Sequence, residues 1–331
     1  MLKRTWAVIA MLSSMLLAGE YPEASIYNGM VRARLYLPDV ARGSYRGTRF
    51  DWSGIVFSLE YKSHQFVQRW YEHHDPKIHD AITGPVEEFL TNGAGLGYEA
   101  AKPGENFIRI GVGTVRKPAG ETEYRRFETY EIVDPGKRTV NTNPDSIEFV
   151  QDLNGGNGYA YHYRKVVKLT KGKPELVLEH TLKNTGKMEL ETSVYDHNFF
   201  VIDDEVVGPD IVVEFPFEPK AVTDFKGLAE IKGKDLTYGR ELQKGQTAMS
   251  ELTGFGDTAK DYDFRIENRK SSASVRIVGD RPLAKLIFWS IRAIACPEPY
   301  IEMKIAPGKE FKWRITYLLS TASSPSPRPA P

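Results

Sequence analysis

Over residues 25–319 the chain alternates short runs of β-branched, aromatic and aliphatic residues with turn-forming clusters, and sustained helical periodicity is scarce. The runs MVRARLYL (30–37), GIVFSLEY (54–61), FIRIGVGTVR (107–116), RFETYEIV (126–133), SIEFVQDL (146–153), YAYHYRKVVKLT (159–170), ELVLEHTLKN (175–184) and ELETSVYDHNFFVI (189–202) predict strands, as do LIFWSI and FKWRITYLL near the end. NGGNG (154–158), KGKP (171–174) and NTGK (184–187) predict the turns between them, because Gly and Asn tolerate the positive φ of a tight turn. Only GPVEEFL around 85–90 and the segment 224–232 predict short helical turns. No Pro/Gly/Ser linker interrupts the strands, so the pattern predicts an all-β fold, one large antiparallel β-sandwich domain over 25–319.

The ends have a different character. Lys3 and Arg4 precede an apolar run from Trp6 to Leu17 that closes on Ala18 and Gly19, which predicts an export signal over about 1–24, cut between 19 and 24. The run is too short for a membrane span, so the mature chain is expected to carry none and to be periplasmic or secreted. Residues 320–331 are rich in Pro and Ser and poor in apolar side chains, which predicts a disordered tail. Lys plus Arg and Asp plus Glu both number 44, a balance without the field that a nucleic-acid partner requires. The single cysteine, Cys296, has no disulfide partner within the chain, which leaves stability to the size of the core.

Two places carry candidate chemistry. Glu298 lies between Pro297 and Pro299, and because proline fixes its own φ and extends the residue before it, the carboxylate is expected to be held stiffly at a sheet edge or rim. It reads either as a solvated glutamate or as a positioned general base. On the strand ending in DHNFF, alternation places Tyr195, His197 and Phe199 on one face and Asp196, Asn198 and Phe200 on the other. His197 reads either as a core histidine or as a pocket acid. Neither a G-x-S-x-G elbow nor a phosphate-binding glycine loop is present, since GVG (111–113) has no helix after it. HHDPKIHD (73–80), with Glu87 and Glu88, offers metal-type donors, but its spacing matches no compact zinc pattern and Pro76 breaks it; no metal or other cofactor is expected.

Taken together, a hairpin around Lys-Gly-x-Pro, a strand ending His-x-Phe-Phe, the run CPEPY, and Pro307-Gly308 before a final strand resemble the galactose mutarotase / aldose 1-epimerase superfamily. The resemblance implies a mutarotase-like supersandwich that opens and recloses a sugar ring, with Glu298 as base and His197 as acid. The family's earlier His-Gly-Gly segment is absent; RGTRFDWSG (46–54), HHDPKIHD and GPVEEFL stand in its place. Contacts to a small-molecule or oligosaccharide sugar are expected from Arg49, Asp51, Trp52, His74, Glu88, Tyr98, Lys117 and Asp196, with Arg46, Arg49, Arg116 and Lys117 suited to a charged sugar. Two alternatives remain at this level. One is a glycan-binding module stacking sugars on Trp52, Tyr61, Trp70, Tyr71 and Tyr98; the other is a polysaccharide lyase or hydrolase with two carboxylates across a cleft.

Overall fold

Alternation does become pairing: neighbouring strands in the computed structural model, which describes residues 21–120 and 123–321, run antiparallel throughout. Residues 1–20 of the expected leader and most of the tail lie outside the described residues. Glu23 and Ala24 are already in register with Tyr36 and Leu35, so a cut at the late end of the expected range would remove two paired positions. Ser320, placed by sequence in the tail, closes the strand Glu310–Ser320 and pairs with Ser274.

Two sheets dominate. A ten-stranded sheet runs Glu230–Lys232, Asp235–Thr237, Ile211–Glu214, Asp263–Asn268, Ala273–Gly279, Glu310–Ser320, Glu175–Asn184, Tyr159–Leu169, Ser146–Gly156, Lys137–Thr142. A six-stranded sheet runs Lys220–Ala221, Ala248–Thr253, Lys285–Ile291, Ile294–Ile305, Leu190–His197, Val86–Leu90. Their facing sides enclose an apolar core from Ile26 to Leu319, in which Phe89 of one sheet packs edge-on against Trp313 of the other. The sandwich interior also holds charge: Glu87 accepts from Lys165 Nζ and lies 2.6 Å from His180 Nε2, all three fully buried. The outer side of the six-stranded sheet is covered by segments from 45–130, whose Tyr45, Phe50 and Trp52 form a second apolar cluster with Tyr195, Phe199, Cys296 and Tyr300.

Several expectations are corrected. GPVEEFL is no helical turn: Val86–Leu90 is a strand, buried at all five positions, and burial on both faces erases the alternation that marks a strand in sequence. Within 224–232, Lys226 and Gly227 take positive φ (56° and 71°), which excludes a helix and turns the chain into Glu230–Lys232. FIRIGVGTVR splits into the hairpin Asn106–Arg109 and Gly113–Arg116, turned through Gly111, whose φ of 84° suits glycine. Of RFETYEIV, only Ile132 and Val133 fall in a strand, Ile132–Asp134. Among the described residues the helical content is the single 3₁₀ turn Ala259–Asp261, and no helix is long and apolar enough to cross a membrane.

Candidate functional site

Glu298 is not at a rim. It lies inside the twelve-residue strand Ile294–Ile305, between Lys285–Ile291 on one side and Leu190–His197 on the other. The prolines are tolerated there because the ladder with Leu190–His197 stops at Tyr195↔Tyr300, before it reaches Pro299 and Pro297, which have no N–H to donate. Extending that register by two residues on each strand sets His197 opposite Glu298, and by three sets Asn198 opposite Pro297. A side chain replaces the missing ladder bond: Asn198 Nδ2 donates to Pro297 O at 2.9 Å while its Oδ1 accepts from Tyr317 at 3.1 Å. Asn198→Ala should therefore cost about 1–3 kcal/mol in urea unfolding, because the Tyr317 hydroxyl and the Pro297 carbonyl, both buried, lose a partner.

This register builds a line of three side chains on the outer face of the sheet. Cys296 Sγ lies 3.2 Å from His197 Nδ1, and Glu298 Oε1 lies 3.3 Å from His197 Nε2. The imidazole stacks on Phe199 at 3.7 Å and meets Phe50 and Trp289 edge-on. His197 is 4% and Glu298 6% exposed, so water barely reaches the pair. Burial pushes the Glu298 carboxyl up to about 7 against the pull of Arg49 and Arg126. Burial, and then Arg49, hold His197 well below the usual imidazole range. The Cys296 thiol, pushed well up by burial, stays protonated. The three donor atoms lie within 4.8 Å of one another, compact enough to suggest a metal. Cys296 and Glu298, however, address opposite nitrogens of one imidazole, and two guanidiniums bias the site against a cation.

Beside this line, Glu88 anchors an arginine cluster. Its carboxylate accepts from Arg49 Nε (2.9 Å), Arg109 Nη2 (3.2 Å), Arg126 Nη2 (2.8 Å) and the Tyr195 hydroxyl (2.6 Å). Burial alone would raise its pKa, but Arg49, Arg126 and Arg109 hold it well below the usual carboxylate range. Tyr195 in turn accepts from Arg49 and Arg126 and stacks on Tyr300 at 4.4 Å.

Of the residues expected to touch a sugar, the structure brings Arg49 and Glu88 to the neighbourhood of His197 and Glu298. It places the others elsewhere. Asp51 accepts from Ser53 N and is pushed up to about 6 by burial in the interior near Lys165 and Glu87. Asp196 faces the sandwich interior opposite Glu87, and burial raises it well above the carboxylate range. Trp52 is fully buried, donates to Gly47 O and lies under Arg138. His74 bonds Tyr21 and Ser44 O, 2.8 Å away, and Lys117 bonds the carbonyls of Tyr98 and Ala101 above the Tyr98 ring. Arg116 pairs with Glu131 at the surface. Of the five proposed stacking rings, Trp52, Tyr61 and Tyr98 are core, and Trp70 and Tyr71 are half-buried. The metal-type donors of 73–88 do not converge: His79 pairs with Asp80, and Glu87 and Glu88 point to opposite faces. Sequence reasoning missed Arg109, Arg126, Tyr300 and Trp289. Parity marks Tyr300, two residues beyond Glu298, but nothing local marks the two arginines.

No family model matches the chain, and no curated protein is significantly similar to it in sequence. Solved structures are. A galactose mutarotase-like protein from Clostridium acetobutylicum superposes with a TM-score of 0.54 at 14% identity, over 90% of this chain and 95% of that one. A galactose mutarotase related enzyme from Lactobacillus acidophilus gives 0.53 at 14% identity, over 90% and 97%. An aldose epimerase homologue from C. elegans gives 0.51 at 12% identity, over 91% and 98%. At these identities the likeness is one of fold: the chain has the galactose mutarotase-like, all-β sandwich architecture.

Proposed function

We propose that the protein is an exported aldose 1-epimerase-like enzyme that opens and recloses a sugar ring with His197 and Glu298. The observation that carries this reading is the 3.3 Å contact between a buried imidazole and a buried carboxylate, close enough to pass a proton from one to the other. Burial raises Glu298 and lowers His197, so a proton held by the pair rests on Glu298 and passes to His197 across the 3.3 Å contact before ring opening. Glu298 takes the proton of the anomeric hydroxyl, the C1–O5 bond breaks as C1=O forms, and the imidazolium of His197 protonates O5. Rotation about C1–C2 and the reverse transfers close the ring on the other face and restore both groups. Cys296 suits this exchange, because a thiol can donate to Nδ1 or accept from it as the imidazole changes protonation. Glu88 is unsuited to acid–base work, since three arginines keep it ionised, which argues against a two-carboxylate hydrolase built on Glu88 and Glu298.

The covering rings favour a second reading, a glycan-binding protein without turnover, because Phe50, Phe199 and Trp289 pack around the buried imidazole of His197. One experiment separates the two: anomer exchange of neutral and charged aldoses, followed by NMR exchange spectroscopy with purified protein. The enzyme reading expects exchange well above buffer for at least one aldose; rates equal to buffer for all of them would overturn it. The apolar leader supports export, and a fractionation experiment in the native host tests it.

A further inference from the structure

Next to the His197–Glu298 pair lies a cleft of about 740 Å³ that the ring-opening chemistry does not use. Its wall is two half-buried indoles, Trp70 and Trp289, whose rings meet edge-to-face at 6.3 Å, and its floor is Val201, Ile291 and Ala293. Neither His197 nor Glu298 lines the cleft, and packed rings separate it from the proposed active site. Trp289 meets the edge of His197 at 5.3 Å, and Trp70 stacks on Phe199, which stacks on His197.

We propose that this cleft is a saccharide subsite that binds a neutral oligosaccharide on the far side of the rings packed against His197. Three observations select this occupant. Flat indole faces beside an apolar floor match the C–H faces of pyranose rings. Polar groups such as Gln246 and Thr247 on the same lining can meet hydroxyls at the ring edge. The charged lining groups are four carboxylates, Glu72, Asp80, Asp204 and Glu205, against Lys244 and Arg292, an excess that repels uronate or phosphorylated chains. Glu72 pairs with Lys244 at 2.6 Å, Glu205 with Lys270 at 2.9 Å and Arg292 with Glu241 at 3.7 Å, which leaves the excess to Asp80 and Asp204.

The test uses methyl β-cellobioside and methyl β-maltoside, in which the anomeric hydroxyl is blocked and ring opening cannot occur, followed by tryptophan fluorescence and saturation-transfer NMR. At least one should bind the full-length protein in the millimolar range or tighter, with Trp289→Ala and Trp70→Ala each weakening it at least about tenfold. Ala293→Phe, which fills the cleft without deleting a ring, should do the same if an indole variant fails to fold. Binding of neither glycoside, or binding unchanged in all three variants, overturns the subsite. Glycoside binding without any anomer exchange would leave the subsite standing and overturn the ring-opening reading instead.

Discussion

Glu298→Gln is expected to lower anomer exchange by ~10²–10⁴-fold, the usual worth of a positioned proton-transfer group, while making the protein more stable above neutral pH. The two effects have one cause. Burial raises the carboxyl from 4.5 to about 7, so the folded state favours its neutral form. The stability this group contributes is complete below 4.5 and is lost as pH rises through about 7, a loss on the order of 3 kcal/mol at about 1.4 kcal/mol per unit. Glutamine has the shape and no titration, so urea midpoints of variant and wild type should diverge between pH 5 and pH 8 in the variant's favour. The wild-type rate should also fall as pH rises past about 7, because the one-proton state of the pair is then emptied. A rate that climbs through that range would exclude a shared proton, and a variant that keeps full activity would remove Glu298 from the chemistry.

The pairing of His197 with Glu298 was partly legible in the sequence. Strand parity put His197 on the face of Tyr195 and Phe199, the flanking prolines singled out Glu298, and the resemblance paired the two; the register that sets them opposite each other depends on Tyr195↔Tyr300, which neither strand announces alone. The prolines misled because they signal a missing donor, and a sheet rim is the usual place for one. Here a neighbouring strand leaves the ladder and Asn198 fills the gap, a tertiary event that CPEPY cannot encode. Val86–Leu90 was illegible as a strand for a related reason. Its two carboxylates look solvent-exposed, yet Glu87 finds Lys165 and His180 across the sandwich while Glu88 finds Arg49, Arg109 and Arg126 on the opposite face. Such partners come from up to 93 positions away, beyond any local pattern. Trp52 and Tyr98 erred in the other direction: composition suggested sugar platforms, and packing under Arg138 and Lys117 made them core.

Glu88→Gln should be the most destabilising single change on this face, about 3–5 kcal/mol, since it leaves buried guanidiniums without their countercharge. Arg49 and Arg109 are almost fully enclosed, and Arg126 is 31% exposed, so water can compensate the last of these in part and the first two very little. The pH dependence has the opposite sign to that of Glu298. The Glu88 carboxyl is held well below 4.5, so its contribution is present above that value and lost as pH falls; the glutamine variant should lack this part of the acid limb in urea unfolding. Tyr195→Phe, which removes a hydroxyl and no charge, should cost only about 1–3 kcal/mol. The variant also reports on the chemistry next door. Glu88 raises the Glu298 pKa while Arg49 and Arg126 lower it, so removing the Glu88 charge leaves both guanidiniums acting on Glu298 unopposed. The alkaline fall in anomer exchange should then move to lower pH in whatever fraction of the variant stays folded. If the stability loss appears but the alkaline limb stays in place, Glu88 is a structural clamp that does not tune the reacting pair.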